Sequence, residues 1–83
     1  MDYQLLKTFI AVSEYGSFSK ASEYLYISAT AIVKQMNLLE KQTDLHLFNR
    51  TKRGTTLTES GKIFYEDAKF LIHYWETMVE HAR

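Results

Sequence analysis

Two helix starts stand so close together in this sequence that the segments they open must meet at a sharp angle. Ser17 precedes FSKASEYL and Ser28 precedes ATAIVKQMNLLEKQ, with only Tyr26 and Ile27 between Leu25 and the second serine. A serine at such a position accepts a hydrogen bond from a backbone N–H that the first helical turn leaves free. The spacing predicts a short helix from the Ser17 cap through Leu25, a tight turn, and a second helix from the Ser28 cap through about Gln42. Ala21 and Leu25 lie one turn apart on the first, and Ile32, Met36 and Leu39 recur at i, i+4 and i+7 on the second, so each helix has one inward stripe. Ala29, Thr30, Val33, Lys34 and Asn37 are left on the free face of the second helix. They are small or polar, and such a face can enter the major groove of duplex DNA without steric obstruction.

The following segment separates this pattern from an ordinary helical hairpin in a small bundle. Leu45 to Asn49 and Thr55 to Thr58 read as strands, with Arg50, Lys52 and Arg53 beside Gly54 between them. That is a hairpin with a cationic tip. Arg50, Lys52 and Arg53, with Thr55 as a lesser donor, are expected on a phosphate backbone or in a minor groove. Ser17, Ser19 and Lys20 open the shorter helix, where free N–H groups and the helix dipole favour a phosphate, and Ser28 opens the longer one.

Both flanks read as helix. Asp2 opens a first helix whose Leu5, Leu6, Phe9, Ile10 and Val12 fall on one broad side, ending near Gly16. It is expected to support the two short helices, with Phe18, Ala21, Leu25, Ile32, Met36 and Leu39 in a shared core that Leu45, Leu47, Phe48 and Leu57 close. Thr58 can cap a last helix, Glu59 suits the positive end of its dipole, and neither Pro nor Gly interrupts the chain after Gly61. Along it Phe64, Ala68, Leu71, Trp75, Met78 and Ala82 follow a heptad seam, widened by Ile72 and Val79. The start of that stripe is expected to pack on its own domain. Beyond about Leu71 so small a body offers little to cover it, and a second copy of the chain is the expected partner.

At 83 residues the chain has room for one compact domain with a marginal core. It has no cysteine, which removes disulfides and thiolate metal sites and fits a reducing cytoplasm. Neither a secretory signal nor an apolar run of membrane-spanning length is present. Net charge is zero, at first sight unfavourable for a polyanion partner, but its distribution is uneven. Residues 17–62 hold seven cations against four carboxylates, a net of +3 balanced by −3 on the flanks. Catalysis has little to stand on. His46, His73 and His81 form no i, i+4 pair, and HExxH, GxSxG and Gly-rich phosphate loops are all missing. Neither a catalytic site, a metal site nor a cofactor is expected.

The strings LLKTFIAVSEYGSFSKASEYL and ISATAIVKQMNLLEKQTDLHLFNRTKRGTTLTESGKIF closely resemble the N-terminal DNA-binding domain of LysR-type transcriptional regulators, and the likeness covers essentially the whole chain. The fold implied is mainly α: a winged helix-turn-helix with a three-helix core and a two-stranded β wing, followed by a long C-terminal dimerisation and linker helix. Residues 1–58 would form the DNA-binding unit and 59–83 the linker helix. The resemblance further implies a homodimer on a partly palindromic operator in double-stranded DNA, in a bacterial cytoplasm. A small-molecule co-inducer would bind an effector domain outside this chain, and the last helix lacks a stop signal before Arg83, so a fragment of a longer protein is expected. Where the family often carries Gln, Pro, Ser and Arg, this chain has Ala29, Thr30, Val33 and Lys34. Fewer groups able to hydrogen-bond bases, and more that can touch thymine methyls, imply weaker, A·T-leaning readout. The alternative from another class is a winged-helix interaction module with weak or lost DNA binding, favoured by the neutral charge and by Ala29 and Val33, and opposed by the cationic wing.

Overall fold

The computed structural model describes residues 2–83, and their elements follow in the order α1 (Tyr3–Tyr15), α2 (Phe18–Leu25), α3 (Ala29–Thr43), β1 (Phe48–Thr51), β2 (Gly54–Leu57) and α4 (Glu59–Ala82). Side-chain caps open all four helices. Asp2 accepts from the amides of Gln4 and Leu5, Ser17 from Lys20, Ser28 from Ala31 and Thr58 from Gly61. The first three helices end on a residue in the left-handed conformation, namely Gly16, Tyr26 and Asp44, whose N–H returns to a carbonyl four residues back.

Helices α1, α2 and α3 enclose one core. Phe9, Val12, Ala21, Ile32, Met36 and Leu47 have no exposed surface, and Phe48 has almost none. Phe9 sits at its centre, with the Phe48 ring at 5.3 Å and the Phe64 ring edge-on at 5.2 Å, so α1, the wing root and α4 meet at one aromatic cluster. Thr8 is also fully buried, and Gln4 donates to its hydroxyl at 3.4 Å.

The wing is shorter and differently placed than the strand-like runs predict. Its antiparallel ladder pairs Phe48 with Leu57, Asn49 with Thr56, Arg50 with Thr55 and Thr51 with Gly54, leaving Lys52 and Arg53 as a two-residue turn. Leu45 and Leu47 precede the ladder because both side chains are drawn towards the core. Arg50 therefore belongs to a strand and not to the tip. Gly54 has φ +141°, and a Cβ there would stand 2.8 Å from the Gly16 carbonyl, which accepts from the Thr55 amide at 3.0 Å. The turn end of the wing is thus bonded to the corner between α1 and α2, at a distance only glycine permits.

Helix α4 runs back along α1. Tyr65 donates to the Glu14 carboxylate at 2.8 Å near the end of α1, and Trp75 meets Tyr3 near its start, ring centres 6.2 Å apart. At about 1.5 Å per residue α4 is roughly 36 Å long. It sets most of the molecule's 45 Å long axis.

Candidate nucleic-acid interface

The free face of α3 follows from which of its residues are used inside. With Ile32, Met36 and Leu39 buried, the opposite side presents Thr30, Lys34 and Asn37, all exposed, while Ala29 and Val33 are half-buried at its margin. No side chain on that face is longer than lysine, and none is aromatic. Ser28 is exposed, but its hydroxyl is committed as the cap, accepting from Ala31 at 3.0 Å.

The wing stands beside this face, and Glu40 shows on which side. Its carboxylate accepts from the amides of Leu47 at 2.7 Å and Phe48 at 3.4 Å, where the chain enters β1. Asn37 and Val33, three and seven residues before Glu40, share that side of the helix. The root of the wing therefore stands beside the flank of α3 that carries Val33 and Asn37.

At the turn Lys52 and Arg53 are exposed. Thr51 braces them, its hydroxyl donating to the Gly54 carbonyl at 3.0 Å and accepting from the Arg53 amide at 3.3 Å. Arg50, expected with them on a phosphate backbone or in a minor groove, has an internal partner. Its Nη2 lies 2.9 Å from Glu40 Oε1 and its guanidinium stands 5.3 Å from the centre of the Phe18 ring, so its charge is paired within the molecule. Thr55 is half-buried, and its amide donates to the Gly16 carbonyl. At the start of α2, Ser17 accepts from the Lys20 amide at 3.0 Å, while Ser19 and Lys20 are exposed. Sequence reasoning missed Glu40, since nothing in its spacing marks a partner at the far end of a loop.

The seam expected along α4 divides. Ala68 is only 3% exposed, Phe64 packs against Phe9, and Ile72 is half-buried against the core, so these three face their own chain. Trp75 leans on Tyr3. The physical reason is that α1 covers α4 as far as Trp75, further than the sequence indicates. Helical geometry instead puts Ile63, Phe70, Leu71, Tyr74 and Met78 together on the outward side. Ile63 is 67% and Phe70 72% exposed. Val79 lines a surface pocket with Tyr3 and Trp75, and Ala82 is exposed at the end of the helix.

Among the described residues no cluster of His, Asp or Glu could hold a metal ion, and no helix is long and apolar enough to cross a membrane. His46 lies 3.8 Å from Glu40 at the edge of the wing.

Comparison with known proteins agrees with this architecture. The family model for the bacterial regulatory helix-turn-helix protein, lysR family, matches residues 3–62. The HTH-type transcriptional regulator ClcR of Pseudomonas putida is 42% identical over 76 residues, 92% of this chain and 26% of ClcR. The uncharacterised HTH-type regulator YxjO of Bacillus subtilis is 40% identical over the same share of each. This chain thus spans about a quarter of the length of those relatives. Among solved structures, a CbnR_DBD–DNA complex superposes with a TM-score of 0.97 at 35% identity, covering 100% of this chain and 95% of the other. A BenM_DBD complex with catB site 1 DNA gives 0.94 at 32% identity, covering 99% and 91%. A matched stretch running from α1 through the wing into α4, together with that superposition, places this chain in the LysR family of bacterial helix-turn-helix regulatory proteins.

Proposed function

We propose that this chain is the DNA-binding unit of a LysR-type transcriptional regulator, with α3 in the major groove and the Lys52–Arg53 turn on the adjoining backbone or minor groove. The observation that carries this reading is an unobstructed helix face, Thr30, Val33, Lys34 and Asn37, on the helix whose Glu40 holds the root of a wing with an exposed cationic turn. That two solved relatives of nearly identical fold are complexes with DNA supports it. Val33, Ala29 and the Thr30 methyl meet thymine methyls in this arrangement, Asn37 suits an adenine edge, and Lys34 a guanine edge or a phosphate. Ser19 and Lys20 hold a backbone phosphate at the start of α2, with the Ser17 and Ser28 caps keeping the helix ends aimed.

Two copies join through the outward stripe of α4, Ile63, Phe70, Leu71, Tyr74 and Met78, which takes over from the heptad read in sequence. With Trp75 at its margin, the stripe is more apolar surface than a solitary helix usually leaves to water. A two-fold pair of such units meets half-sites separated by whole helical turns, hence a partly palindromic operator. Residues 1–58 carry the contacts with DNA and 59–83 the pairing helix. Response to a small-molecule co-inducer belongs to a further domain of such regulators, and the bacterial cytoplasm is where one acts. An enzymatic role has no place in this reading.

Titration of duplex DNA at several salt concentrations, with a scrambled competitor, tests it. Binding should weaken linearly in log–log form with salt, and Lys52→Ala/Arg53→Ala should lower that slope by up to about one unit per lost phosphate contact, equally on all sequences. An unchanged slope in the double variant would remove the wing from the interface.

A further inference from the structure

We propose that Glu40 is a positioning residue for DNA binding, acting by fixing where the wing stands relative to α3. This rests on the DNA-binding reading above. Three elements assigned to the interface converge on its one carboxylate. Oε2 accepts the amides of Leu47 and Phe48, Oε1 accepts Arg50 Nη2 at 2.9 Å, and the Arg50 guanidinium in turn lies over the ring of Phe18, the first residue of α2. His46 Nδ1 adds a contact at 3.8 Å. Glu40 itself sits in the last turns of α3, with its side chain 18% exposed.

The geometry makes this a hinge pin. The wing's remaining backbone ties are at its far strand, Thr55 to the Gly16 carbonyl and Thr58 to the Leu47 carbonyl, each 3.0 Å. The first holds the turn end of β2 to the corner of α1 and α2, and the second extends the pairing of the two strands. Among the described residues the hydrogen bonds from β1 to α3 all end on the Glu40 carboxylate, and hydrogen bonds with an ionised partner are short, directional and about twice as strong as neutral ones. Arg50 stays in place because its plane is gripped on one edge by Glu40 and on one face by Phe18. Loosening this knot leaves Lys52 and Arg53 charged but free to miss the phosphates that α3 brings within reach.

The sign of the effect separates positioning from charge alone. Removing a carboxylate near a polyanion should tighten binding, by weakening repulsion. Removing a positioning residue should weaken it. Duplex affinity is therefore measured across one salt series for the wild-type chain, Glu40→Gln, Lys52→Ala/Arg53→Ala and the triple variant, with circular dichroism to follow helix content. Glu40→Gln should bind roughly tenfold more weakly, within the coupling expected of residues in one network. In the triple variant it should add no loss beyond that of the wing pair. Tighter or unchanged binding in Glu40→Gln, or an equal loss in both backgrounds, overturns the proposal. Failure of the underlying reading looks different: the wild-type chain shows no salt-dependent binding, or the wing pair has no effect. Should Glu40→Gln lose helix content, Arg50→Lys replaces it in the same cycle, keeping the charge while losing the Nη2 bond to Glu40 and the plane over Phe18. The same pattern is expected, and the same results overturn it.

Discussion

Gly61 shows how much a single side chain decides in this chain. It lies in the first turn of α4, and a Cβ there would collide with the Leu47 carbonyl, which is backbone and cannot swing aside. Helix and wing root approach each other this closely because Leu47 is buried and Thr58 bonds to its carbonyl. Gly61→Ala is expected to destabilise the fold by about 2–3 kcal/mol, the range of overpacking, despite the better helix propensity of alanine. Chemical denaturation measures this. Ser28→Ala should cost about 1 kcal/mol by the same measurement, through loss of the cap on Ala31. The two residues also mark what could be read in advance. A cap is a local signal, and Asp2, Ser17, Ser28 and Thr58 were legible from their positions alone. Arg50 and Glu40 were not, because their pairing spans the α3–β1 loop and a charge carries no mark of whether it is free.

At the scale of elements, helix types and order were legible and the facing of α4 was not. Phe64, Ala68, Leu71 and Trp75 repeat at heptad spacing, but so do Ile63, Phe70 and Tyr74 with their neighbours, and periodicity cannot tell an inner stripe from an outer one. Packing of α1 along α4 settles the inner one. Phe70→Glu should therefore convert the proposed dimer to monomer in sedimentation without loss of helix content. Phe64→Ala should instead cost about 2–3 kcal/mol of stability, towards the low end for a half-buried phenylalanine. The contact between α1 and α4 also carries a pH dependence. Burial, then the hydrogen bond to Glu14 and its negative charge, hold the Tyr65 phenol above its ordinary range. A raised phenol stabilises the fold fully below the unfolded value, and this contribution fades as pH rises from about 10 through the folded value. Thermal unfolding should accordingly fall less steeply at alkaline pH in Tyr65→Phe than in the wild-type chain. The wing was misjudged for a related reason. Alternation marks Leu45 and Leu47 as strand-like, yet the amide of Leu47 goes to Glu40 and the ladder begins at Phe48.

For the whole molecule, zero net charge conceals a dipolar arrangement, with an excess of +3 over residues 17–62 and −3 elsewhere. A polyanion meeting such a body is turned towards α3 and the wing, while the acidic excess stays on the outer helices. The reading face adds little hydrogen-bonding chemistry to this field, since Ala29, Val33 and the Thr30 methyl offer apolar contacts. Selection from randomised sites should return A·T-leaning sequences, and a purely G·C-rich outcome would contradict that assignment. Amide shifts of the labelled chain on adding operator-length duplex test the interface most directly. Changes concentrated at residues 28–37, at Lys52 and Arg53, and at the start of α2 are expected. Shifts confined to the outward stripe of α4, or absent from α3, would contradict DNA recognition by this face.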